Sequence, residues 1–96
     1  MYSYSVKVRT KAYLWGSSGV AADLTVPLML VIHNDLWGDP VTLGSDTGEG
    51  ETDLGTLQPG ECWTIPLLGL RGVHATCDTD STVSCMIFTP QVLAPA

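Results

Sequence analysis

Positive charge is what this 96-residue sequence has least of: four Lys and Arg stand against ten Asp and Glu, for a formal net charge of −6. A domain that tracks phosphate backbones or anionic bilayers gathers Lys and Arg, so neither nucleic acid nor membrane is an expected partner. Long hydrophobic runs are missing too. The longest, Val26 to Ile32, contains Pro27 and falls far short of the roughly 18 residues of a membrane span. Met1-Tyr2-Ser3-Tyr4 leads into alternating Val and base without the apolar core of a secretory leader, so synthesis in the cytoplasm is expected. Cysteines are few and odd in number, Cys62, Cys77 and Cys85, so a disulfide framework is not expected. Helical periodicity is also lacking, since no segment repeats the apolar spacing of an amphipathic helix beyond about a turn.

What is present is apolar character, 45% of residues, spread along the length, with a mean hydropathy of +0.22. That composition folds rather than staying disordered, and the length fits a single domain spanning 1–96, with a Pro-containing tail at 90–96. Ser3 to Tyr13 alternates, with Val6 and Val8 on one parity and Lys7, Arg9, Lys11 on the other, which predicts one strand with a greasy and a basic face. Trp15-Gly16-Ser17-Ser18-Gly19 reads as a loop. Leu24 to His33 reads as a central strand covered on both faces, because its apolar residues fall on both parities. After the turn Asn34 to Pro40 comes a short strand, Val41 to Gly44. Ser45 to Gly55 has little to bury and reads as a solvated acidic loop.

Leu57-Gln58-Pro59-Gly60-Glu61 carries Pro and Gly where a type II turn needs them, and Cys62 to Leu68 follows as a strand. Leu70 to Cys77 and Val83 to Thr89 read as a hairpin, in which Cys77 and Cys85 would face each other. A cross-strand disulfide would then be possible, but both residues share parity with Val73, Ala75, Val83 and Ile87, which favours reduced, buried thiols. With six to eight short strands at regular spacing, the chain reads as all-β, a small antiparallel β-sandwich or partly closed, jelly-roll-like barrel.

Catalytic chemistry finds little footing. His33 and His74 stand near no nucleophile motif, so no enzyme activity is expected. Asp46, Glu49, Glu51 and Asp53 do not match an EF-hand, no Cys-x-x-Cys pair is present, and no loop cradles phosphate. No metal site and no cofactor are expected. Docking is the better-supported chemistry. Lys7, Arg9 and Lys11 hold three of the four positive charges and could meet the acidic segment Asp46 to Asp53 of another subunit, although bases also protect an edge strand. Trp15 and Trp37 fall in loop segments, where large aromatics suit interface anchors or caps buried under the sandwich ends.

A resemblance runs through Val31-Ile32-His33-Asn34, Pro40-Val41-Thr42-Leu43-Gly44, Leu57-Gln58-Pro59-Gly60-Glu61, Val73-His74-Ala75 and the closing Thr82 to Phe88. This layout resembles the small β-sandwich accessory structural proteins of tailed-phage virions, over about two-thirds of the chain. The resemblance implies a capsid decoration or cement protein located in the virion and made in the host cytoplasm. It also implies a homo-oligomer, by analogy a trimer, whose partner is the major capsid protein or another virion protein. Head-fibre base, neck and tail roles share the pattern. Leu28 to Leu67 is also similar to the adaptor-binding β-repeats of bridge-like lipid transfer proteins, which implies a peptide-binding or adaptor-binding module instead.

Overall fold

The computed structural model describes residues 2–16 and 29–88. Eight strands are found there: β1 (Tyr2–Val8), β2 (Lys11–Gly16), β3 (Met29–Asn34), β4 (Val41–Asp46), β5 (Glu51–Leu57), β6 (Cys62–Pro66), β7 (Gly72–Thr76) and β8 (Ser81–Phe88). They form two four-stranded sheets with orders β1-β8-β3-β6 and β2-β7-β4-β5, antiparallel throughout. Strands in the same position of the two orders are consecutive in the chain, the winding of a jelly roll. The all-β sandwich expected from strand spacing is therefore the fold observed.

Alternation explains how the sheets face each other, because successive side chains in a strand point to opposite faces. Leu30 and Ile32 of β3 with Val83, Cys85 and Ile87 of β8 project inward from one sheet. Val41 and Leu43 of β4 with Val73 and Ala75 of β7 meet them from the other. Fully burying each Val, Leu or Ile contributes about 1.5–3 kcal/mol. The Tyr4 hydroxyl donates to the Leu14 carbonyl and so ties β1 to β2 across the sheets.

Several boundaries differ from the sequence expectation. The alternating run Ser3 to Tyr13 is two strands, because the chain turns at Arg9 and Thr10 and crosses to the other sheet. Trp15 and Gly16 belong to β2 rather than to a loop; the rest of that loop, residues 24–28 of the expected central strand and the tail at 90–96 lie outside the described residues. Strand β3 is central, between β8 and β6, yet only one of its faces is covered, since Met29 and His33 are exposed. The acidic segment holds β5, a strand at the sheet edge with Leu57 as its buried side chain, so pairing with β4 rather than burial defines it. The β7–β8 hairpin is not formed: the two strands lie in different sheets. Cys77 donates its N–H to the Thr10 carbonyl, Cys85 pairs with Tyr4 and Ile32, and both thiols are free and buried. The Pro59-Gly60 turn forms as expected, with Gly60 at φ 83° and the Glu61 N–H on the Gln58 carbonyl at 3.0 Å.

Candidate functional site

Register places Val8 opposite Ser81, Asn34 opposite Val83 and His33 opposite Cys62. The connections β1–β2, β3–β4, β5–β6 and β7–β8 therefore gather at one end of the sandwich. Asn34 organises this end. Its side chain is fully buried; its amide donates to the carbonyls of Asp39 at 2.9 Å and Leu57 at 3.1 Å, and its carbonyl oxygen accepts from Ser81 Oγ. Asp35 then accepts from the Gly38 N–H, closing the turn that presents Leu36 and Trp37. Trp37 is 89% exposed and shares a cleft of about 290 Å³ with Lys7, Asp35 and Asp80.

Three of the five interface residues expected from the sequence, Lys7, Arg9 and Trp37, thus belong to this end. Lys7 is half exposed and lies 3.6 Å from Asp80, while Arg9 is exposed between β1 and β2. Lys11 begins at the same end, but its side chain turns away. It starts β2 in the second sheet, and its ammonium lies 2.7 Å from Glu51 of the same chain, so this one base meets the acidic segment within a single subunit. Trp15 is 7% exposed and part of the core, the sandwich-cap alternative rather than the anchor.

The outer face of the second sheet carries a polar network that spacing along the sequence did not reveal. His74 on β7 lies opposite Tyr13 on β2 and Gly44 on β4, and its imidazole rests on the bare Gly44 backbone, where a Cβ would collide with Nε2. His74 is 6% exposed. Nδ1 faces Asp46 Oδ1 at 3.3 Å and Nε2 faces Glu51 Oε2 at 3.9 Å. Tyr13 donates its hydroxyl to Asp46 Oδ2 at 2.5 Å and packs its ring edge-on to the imidazole, with centroids 5.7 Å apart. Strand parity in β7 puts His74 opposite in sense to Val73 and Ala75, which signals an outward face; only the sheet order supplies the carboxylates.

The other histidine, His33, lies on the outer face of the first sheet between Ser84 and Cys62, in an open cleft of about 490 Å³. The two histidines therefore serve opposite faces of the sandwich. No protein-family model, curated protein or solved structure matches this chain.

Proposed function

We propose that this chain is a non-enzymatic structural protein that docks onto a larger repetitive assembly, in the capsid decoration role that the resemblance to tailed-phage virion proteins implies. Trp37 carries the docking reading. An indole 89% exposed on a turn fastened to a buried asparagine is an anchor held ready, and Trp is enriched among the residues that dominate binding energy. Leu36, 61% exposed beside it, extends the apolar tip, and Lys7 and Arg9 add polar contacts that steer orientation. The jelly roll supports a structural role by analogy alone, as a fold that builds viral capsid domains among others.

Such a protein works by mass action. Binding the assembled lattice and not its dissociated subunits stabilises the lattice by about 2.7 kcal/mol per site at a hundredfold excess over Kd. A small domain also gains from self-association, and the proposed form is a symmetric homo-oligomer, by analogy a trimer. Size-exclusion chromatography with light scattering tests this form. A species at three times the 10.2 kDa chain mass supports it. A monomer at every concentration and salt overturns it and favours a monomeric peptide-binding module.

A further inference from the structure

We propose that Asp46, Glu51 and His74 form a binding site for a divalent transition-metal ion, with Zn²⁺ the best fit to one imidazole and two carboxylates. One donor atom from each of the three residues lies within 4.8 Å of the other two. A second observation concerns the imidazole itself: His74, more than nine-tenths buried, has an Nδ1 with no hydrogen-bond partner, and that atom faces Asp46 Oδ1 at 3.3 Å.

The spacing of the His74–Asp46 pair suits tetrahedral coordination. Two ligand atoms held about 2.0–2.1 Å from zinc at the tetrahedral angle lie about 3.3–3.4 Å apart, and Nδ1 of His74 stands 3.3 Å from Asp46 Oδ1. Outer groups already fix both ligands, as partners beyond the metal ligands do in metal sites. The Tyr13 hydroxyl holds Asp46 Oδ2, the Tyr13 ring edge bears on the imidazole, and Gly44 leaves room for it. Glu51 faces Nε2 at 3.9 Å and is exposed, so its carboxylate must swing to the Nδ1 side to close the third position. A cleft of about 300 Å³ bordered by Asp46, Gly48, Glu51 and Arg71 opens onto the carboxylates and gives a fourth ligand, such as water, a path in.

Lys11 is the resident competitor. Its ammonium holds Glu51 Oε1 at 2.7 Å, so metal binding must displace it, and removing its charge should strengthen binding. That opposite response of two neighbours separates a metal site from a plain ion-pair network.

The test is calorimetric titration of the folded chain with ZnCl₂, in a Cys62→Ser background because Cys62 and His33 are cross-strand partners and are themselves ligand types. One ion per chain is expected, with affinity at least about tenfold weaker in Glu51→Gln and severalfold tighter in Lys11→Met. Both substitutions are at exposed positions, so folding is retained, and circular dichroism checks it. Absence of one-to-one binding in the Cys62→Ser chain overturns the proposal. So does binding that ignores both Glu51→Gln and Lys11→Met.

Discussion

Asn34 accepts a hydrogen bond from Ser81, forty-seven residues further along the chain, in the closed interior at one end of the sandwich. The same Asn34 side chain donates to Asp39 and Leu57, while its backbone N–H donates to Glu61 and its carbonyl accepts from Gly60. One buried residue, through side chain and backbone together, therefore joins β3, β8, the end of β5 and two turns, and it sets the frame from which Trp37 projects.

Replacing Asn34 removes partners from groups that water cannot reach, and each buried group left unsatisfied costs about 1–3 kcal/mol. Asn34→Ala should lower unfolding free energy by about 2–4 kcal/mol, and Ser81→Ala by about 1 kcal/mol, in urea titrations. A loss in Asn34→Ala no larger than that in Ser81→Ala would contradict the hub role.

The thiols should divide by burial. Cys62 is exposed whereas Cys77 and Cys85 are buried, so a thiol reagent at pH 8 should label one site quickly in the folded chain and three in denaturant. Fast labelling of two or three sites under native conditions would contradict the packing.

Burial pushes the Cys85 thiol up from 9.0 to about 12, because the thiolate is disfavoured in an apolar interior. Above pH 9 the unfolded chain gives up this proton while the folded chain keeps it, so the unfolded state binds fewer protons and stability falls as pH rises toward 12. Cys85→Ala should show a shallower alkaline decline in thermal melts. An unchanged slope would place the decline elsewhere.

Gly44→Ala should displace His74, since the new Cβ would collide with Nε2 and stand 2.7 Å from Cε1. Overpacking of this kind costs about 1–3 kcal/mol, and the His74 imidazole resonances should shift while those of His33 stay in place. Unmoved His74 signals would contradict the contact.

Among the bases, Lys7→Ser with Arg9→Ser should reproduce most of the loss of docking produced by also replacing Lys11, because Lys11 is held by Glu51. Binding of the double variant should become less sensitive to salt, as expected when charges leave an interface. A dominant effect of Lys11→Ser alone would contradict this division.

The inward sets of β7 and β8 were legible in the sequence because parity decides which side chains face a sandwich core, whereas β3, with apolar residues on both parities, read as covered on both faces. Val83, Cys85 and Ile87 are buried as their alternation predicts, and the Pro59-Gly60 turn follows from backbone chemistry. Parity says nothing about which strand pairs with which. Ser3 to Tyr13 keeps its alternation through the turn at Arg9 and Thr10, so a crossing between sheets looked like one strand. Asp78 to Asp80 resembles a hairpin loop as readily as the connection between sheets that it is. His74, Asp46 and Glu51 meet through the β7–β4–β5 order, which no local spacing encodes. The sequence left anchor and buried cap open for both tryptophans; Trp37 stays exposed on its turn, whereas Trp15 is buried because β2 runs through Trp15 and Gly16, the first two residues of the expected loop.

The central proposal is that the Trp37 end docks onto a capsid lattice, and sedimentation with assembled capsids of the phage proposed to encode the chain tests it most directly. The intact protein should pellet with the particles at a fixed ratio to the major capsid protein. Trp37→Ser, at an exposed turn position whose loss leaves the fold intact, should remain in the supernatant. Failure of the intact protein to pellet, or equal pelleting of Trp37→Ser, would contradict the claim.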